Sequence, residues 1–154
     1  MDNSFSKQTY PWKTTVDYRV QPEKYQVGKG EQGVLLCEPY KSEILPYWRF
    51  KTPELALASS EKIYQLFLAY LKQNDFVGAD LARKFLQMGF TRARRYANYA
   101  GGKKYAPGSA QTLKKGTGDP QKVISASTFY KKWRLAEQHQ TYKMMKTAWK
   151  KRYG

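Results

Sequence analysis

The stretch FTRARRYANYAGGKKY, Phe90 to Tyr105, carries Arg92, Arg94, Arg95, Lys103 and Lys104, three tyrosines and no acid. Arginine suits phosphate oxygens and its planar fork can also read guanine, while asparagine can pair with adenine. At helical spacing Thr91, Arg94, Arg95 and Asn98 share one face. Gly89 reads as the stop of one helix and Thr91 as the cap of a short third one, so two helices would meet at a sharp turn. The amides at the start of that third helix would add to a phosphate site. The likeness to a DNA-reading helix-turn-helix is loose, because the first helix lacks the usual small-residue spacing before the turn; phosphate contact is expected rather than base readout. Lys114 and Lys115 follow behind, and Arg83 and Lys84 extend the patch on the other side. Aromatic rings beside cations grip unpaired strands by stacking. Tyr99 and Tyr105 are the candidates here, with Trp48, beside Arg49, from the other half of the chain.

A second constellation is Gly28-Lys29-Gly30-Glu31-Gln32-Gly33, formally G-x-G-x-x-G. A dinucleotide loop of that form needs a helix after it, but Val34-Leu35-Leu36 reads as strand. Two readings remain. The loop is a tight turn whose glycines supply positive φ, or Gly28, Gly30 and Gly33 form a backbone nest for an anion. Glu31 is the one weak catalytic candidate. Glu31, Glu38 and Glu43 lie close in sequence, yet spacing alone cannot put two carboxylates across a substrate. One histidine, His139, and one cysteine, Cys37, allow no confident nucleophile–base set and make a zinc site or internal disulfide untenable. No cofactor is implied.

The charge is lopsided. The chain of 154 residues has 28 basic and 12 acidic side chains, a net of +16. Residues 1–80 balance at ten of each, so the whole excess falls in 81–154, where only Asp119 and Glu137 are acidic. Between Leu81 and Gly118 there is no acid at all. Solubility alone would not need that asymmetry; it points to nucleic acid, an anionic membrane surface or an acidic protein partner. A hydrophobic content of 41% with 16% aromatics argues for a folded core rather than disorder. No long apolar run or charged-then-apolar leader is seen, which predicts a cytoplasmic protein with no membrane partner.

The elements that must position these groups read as follows. Residues 1–17 form a loosely ordered arm, and 18–154 a single domain. Tyr25-Gln26-Val27 and Val34-Leu35-Leu36-Cys37 bracket the glycine loop as a short hairpin. Thr52-Pro53-Glu54 starts a helix that runs to about Lys72, with Ile63, Leu66, Phe67, Tyr70 and Leu71 on one stripe. Asn74-Asp75 caps a second helix. Residues 101–118 form a basic loop, and Asp119-Pro120 restarts a helix, whether one long one or two. The expected class is α+β, predominantly helical: an N-terminal hairpin and irregular platform against about four helices.

The blocks VGKGEQGVLLCEPYKSEILPYWRFKTPELALASSEKIY, DFVGADLARKFLQMGFTRARRYANYAGGKKY and the DP…FYKKW…WKKRYG ending resemble a family of small proteins of unknown function. The likeness covers roughly Tyr18 to Gly154. It implies a stand-alone protein of a kind found in tailed phages, including those of cyanobacteria, and in some bacteria and fungi; a phage protein would act in the host cytoplasm. It carries over no activity and no catalytic residue. The family's usual histidine in the block matching Tyr99 is a tyrosine here, which argues against a catalytic imidazole at that place. Three functions are therefore carried forward: a nucleic-acid-binding protein using 81–118, an enzyme on nucleic acid or a nucleotide using the 28–33 loop and Glu31, and a phage interaction protein with an acidic protein partner.

Overall fold

The computed structural model describes residues 10–98 and 119–154. It is a helical bundle of α1 (Tyr40–Ile44), α2 (Pro53–Lys72), α3 (Phe76–Asn98), α4 (Gln121–Gln138) and α5 (Gln140–Tyr153), with short 3-10 turns at Pro22–Lys24 and Leu45–Tyr47. The expected α+β class is corrected: among the described residues no strand forms, and the sole β pairing is an isolated parallel bridge between Asp17 and Glu38.

The predicted hairpin fails for a local reason. Gln32, Val34 and Leu36 donate backbone N–H bonds to Lys29, Glu31 and Gly33, three successive three-residue turns. Gly28, Gly30 and Gly33 take φ of +68°, +57° and +81°, which coils the chain where a strand would extend it. Short apolar runs signal burial, not strand, when glycine permits continuous turning. Here Tyr25, Val27, Val34 and Cys37 all enter the core.

The helix starts follow the expected chemistry. Thr52 Oγ1 accepts from Leu55 N at 3.1 Å and Pro53 holds the first helical position of α2. Ile63, Phe67, Tyr70 and Leu71 of its stripe are buried and Leu66 is half-buried. Asn74, at φ +58°, turns the chain, and Asp75 Oδ1 accepts from Gly78 N at 3.0 Å to open α3. Asp119 Oδ1 likewise accepts from Gln121 N at 2.9 Å where α4 begins. The C-terminal region is two helices, because His139 adopts an extended conformation (ψ 125°) between α4 and α5.

α3 is the pillar, and it also overturns a boundary. Gly89 does not end it, and Thr91 caps nothing; the helix runs unbroken from Phe76 to Asn98. Gly89 lies under Phe129 of α4: a Cβ there would sit 2.4 Å from the Phe129 ring. The glycine is a contact point, not a stop. Every residue from Phe76 to Leu86 is buried, so the first half of α3 is enclosed on all sides. Past Gly89 only Ala93 and Ala97 are buried, and the helix emerges onto the surface with one inward edge.

Candidate nucleic-acid interface

The basic residues divide into two populations along α3. Arg83 and Lys84 belong to the interior and do not extend a surface patch. Arg83 Nη2 donates to Asp80 Oδ1 at 2.7 Å, its Nε to Tyr142 Oη at 3.0 Å, and its Nη1 to the Gly30 carbonyl at 2.7 Å and to Gln87 Oε1 at 2.9 Å. Lys84 Nζ donates to the Gln32 carbonyl at 2.7 Å, stands 3.9 Å from Asp80 Oδ2, and lies over the rings of Trp12 and Tyr25 at 5.0 and 4.9 Å. Asp80 also accepts from Tyr142 Oη at 2.6 Å and from Tyr25 Oη.

This buried set is electrostatically consistent. Burial works to raise the Asp80 carboxyl, but the Arg83 and Lys84 charges and the two tyrosine hydroxyls outweigh it and hold the group below its ordinary value. Burial pushes Lys84 down to about 8 against the pull of Asp80. Burial likewise pushes the Cys37 thiol up to about 12, so it stays protonated and unreactive.

The glycine loop is the other half of the same network. Its Gly30 and Gln32 carbonyls accept hydrogen bonds from Arg83 and Lys84, so it turns acceptors toward cations. The Trp12 ring closes over Gly28 and Gly33, where an added Cβ would meet it at 2.6 and 2.4 Å. Both features support the tight-turn reading over an anion nest. Glu31 accepts from Thr91 Oγ1 at 3.0 Å. Glu38 caps Ser42 through N and Oγ at 2.9 Å each, and Glu43 pairs with Arg19 at 2.6 Å and accepts from Tyr70. The three carboxylates thus serve three separate places. Among the described residues no group of three His, Cys, Asp or Glu is placed to hold a metal, and no helix is long and apolar enough to cross a membrane.

Arg92, Arg94 and Arg95 form the second population. All three are exposed, and among the described residues none is paired with an acid. Asn98, half-buried, is the last described residue of the helix. Because α3 is continuous, no helix N-terminus supports a phosphate at Thr91; the arginines stand at the C-terminal end, where the helix dipole favours cations. Their side chains alone would make the contacts. Tyr99, Lys103, Lys104, Tyr105, Lys114 and Lys115 lie outside the described residues. The two ends of that segment are nevertheless fixed together, since Asp119 N donates to the Tyr96 carbonyl at 3.0 Å.

Tyr96, one turn after Arg92 on α3, lines an aromatic cleft of about 380 Å³ together with Trp48, Arg49, Phe50, Lys51 and Lys122. Trp48 and Phe50 have ring centroids 5.0 Å apart, and Phe50 and Tyr96 6.1 Å. Trp48 is also an anchor: its indole N–H donates to the Phe85 carbonyl at 3.1 Å and its ring packs on Phe85. The backbone of this strap is pinned twice. Arg49 N donates to Ser59 Oγ at 2.9 Å, and the buried Lys122 Nζ donates to the Phe50 carbonyl at 2.9 Å and to Lys51 O at 2.5 Å. Sequence reasoning reached Trp48 and Arg49 but missed Phe50, Lys51 and Lys122. The alternation Trp-Arg-Phe-Lys just before the Thr52 cap was the available signal for the first two. Nothing local marks Lys122 as buried.

The described protein is thus a small helical bundle with a charged interior, a basic helix end and an aromatic cleft. Residues 9–152 match the family described as Domain of unknown function (DUF4385), and the chain belongs to that family. It matches no curated protein and no solved structure.

Proposed function

We propose that the protein binds nucleic acid through phosphate contacts from the exposed end of α3. The observation that carries this reading is that Arg92, Arg94 and Arg95 stand solvent-exposed and, among the described residues, without acidic partners, on the half of α3 that lies within the acid-free basic segment. Phosphate neutralisation by such side chains releases counterions and makes binding salt-dependent. The net charge of +16 adds long-range attraction of the same sign.

The enzymatic alternative needs a deep cleft joining the glycine loop to the arginines. None of the four clefts described is lined by Glu31, and the loop's carbonyls are committed to Arg83 and Lys84. Nothing in the geometry favours catalysis there. Binding to an acidic protein uses the same cations and is separated from the main reading by experiment.

The test is a salt titration of binding to labelled duplex DNA, single-stranded DNA and RNA. On duplex DNA each phosphate contact contributes about −0.9 to the slope of log K against log salt. The Arg92, Arg94, Arg95→Ala triple variant should therefore lose roughly 2.7 from that slope while keeping its helical circular dichroism. A slope unchanged in the triple variant, or no binding at about 50 mM salt, would overturn the reading and leave an acidic protein as the partner to seek.

A further inference from the structure

We infer that the cleft between the Trp48–Lys51 strap and α3 seats an unpaired nucleobase, so that the substrate class is single-stranded nucleic acid. The inference rests on the phosphate-binding reading above and adds to it a site for the base.

The cleft has the two components such a site needs. Its walls are aromatic: Trp48, Phe50 and Tyr96 follow one another at 5.0 and 6.1 Å between centroids, and Tyr96 is 38% exposed. Base–aromatic stacking tolerates any base, because every base has a π-face. Its rim is cationic: Arg49 and Lys51 are exposed on the strap. Arg92 lies one turn before Tyr96 on α3, on the side that Phe85 presents to Trp48, by the i, i+7, i+11 spacing of Phe85, Arg92 and Tyr96. A base stacked in the cleft would leave its flanking phosphates facing those three cations.

The walls are also held in advance of any ligand. Trp48 is fixed by its bond to Phe85, Arg49 N by Ser59, and the carbonyls of Phe50 and Lys51 by Lys122. Lys122 is spent inside, so the rim charge comes from Arg49, Lys51 and Arg92. A volume of about 380 Å³ lies at the small end of ligand pockets, in keeping with a single planar ring system rather than a peptide segment. A duplex would keep its bases stacked on one another and could not offer one without the cost of extrusion.

The measurement uses the full chain and three labelled probes of about twelve nucleotides, within the range one single-strand site spans. They are oligothymidylate, oligouridylate, and an abasic deoxyribose-phosphate strand of the same length and charge. Oligothymidylate or oligouridylate should bind about 5- to 150-fold more tightly than the abasic strand, the equivalent of one stacked base. Either order between the two supports the inference, since they differ in both the sugar and the thymine methyl. Tyr96→Ala should abolish that preference without changing the salt slope, and Tyr96→Phe should keep it. Equal affinity for the base-bearing and abasic strands overturns the inference, as does a preference that survives Tyr96→Ala. In both cases salt-dependent binding persists, so the phosphate reading stands alone. Loss of salt-dependent binding to every strand would instead fell the phosphate reading, and this inference with it. Should polyglutamate compete as well as oligothymidylate does, the cleft contributes nothing base-specific and the inference also fails.

Discussion

Replacing Asp80 by Asn removes one buried negative charge while keeping the side chain's size. Asp80 is fully buried and faces two cations, with Arg83 at 2.7 Å and Lys84 at 3.9 Å. In the variant those cations remain inside with no counter-charge, and breaking a buried ion pair from one side costs about 3–5 kcal/mol. Tyr142 and Arg83 can still donate to an amide oxygen at the Oδ1 position, but the NH2 group would then replace the Oδ2 acceptor that Tyr25 uses, so one lost hydrogen bond adds to the stranded charge. For a chain of this size the cost corresponds to a fall in Tm of roughly 6–20 °C. The assay is urea unfolding followed by tryptophan fluorescence, with the slope m checked for constancy. A second substitution sharpens the reasoning. If the cost is the stranded charge, Asp80→Asn with Lys84→Met should be less destabilised than the sum of the two single variants, because the second change removes a charge the first left unpaired. An Asp80→Asn variant within about 1 kcal/mol of the parent, or strict additivity in the double, would refute the account of the interior as a charge network.

The remaining predictions concern the same framework. Gly89→Ala should destabilise by about 1–3 kcal/mol, because its Cβ would meet Phe129 at 2.4 Å and an overpacked contact costs that much; a gain from better helix propensity, read by thermal melting, would show that α3 and α4 do not meet there. Gly33→Ala should cost about 1–3 kcal/mol and perturb Trp12 emission, since it faces both a φ of +81° and the Trp12 ring at 2.4 Å. Stability should rise with pH above about 8: Lys84 loses its proton near 8 in the fold but near 10.5 when unfolded, so the unfolded chain binds more protons in between. Cys37, raised from 9 to about 12, acts the opposite way above pH 9. The gain is therefore sought between about pH 7.5 and 9, where it should be about 1 kcal/mol and be mostly lost in Lys84→Met, leaving the smaller part from Lys146, which burial also lowers.

Much of the helical frame was legible because its signals are local. Thr52-Pro53 at the start of α2 and Asn74-Asp75 at the start of α3 act through side chains within three residues, and both operate as read. The errors came where a residue type has two uses. Gly89 can end a helix by adopting positive φ or admit a neighbouring ring by lacking a Cβ, and only the position of Phe129 decides between them. Val34 to Cys37 can be strand or turn, and the three positive-φ glycines decide that. Fold class was misjudged there because two short apolar runs around glycines fit a hairpin and a turning, buried segment equally well.

The cations show the same ambiguity and also its resolution. Arg83 and Lys84 sit in a run whose neighbours Ala79, Leu81, Ala82, Phe85 and Leu86 cover every side of a helix, so any charge in that run must be paired internally. Asp80, three and four residues earlier, is the matching acid. Arg92, Arg94 and Arg95 instead surround Ala93 and Ala97, a single narrow apolar edge, and no acid follows until Asp119. One helix therefore does two jobs. Its enclosed half, locked to the glycine loop and α5 by the Asp80 network, is rigid, and rigidity passes along an unbroken helix to the half that carries the free arginines and Tyr96. Groups held in place before a ligand arrives lose less freedom when it binds. That is the physical reason to look for recognition at this end of α3 rather than among the more numerous lysines of α5. Lys143, Lys150 and Lys151 there are just as exposed, and α5 has an aromatic cleft of its own, where Trp149 donates to the Tyr25 carbonyl at 2.9 Å and packs between Phe76 and Tyr153. At about 220 Å³ against about 380 Å³, though, it is the smaller of the two and falls below the usual size of a ligand pocket, about 300 Å³ and up.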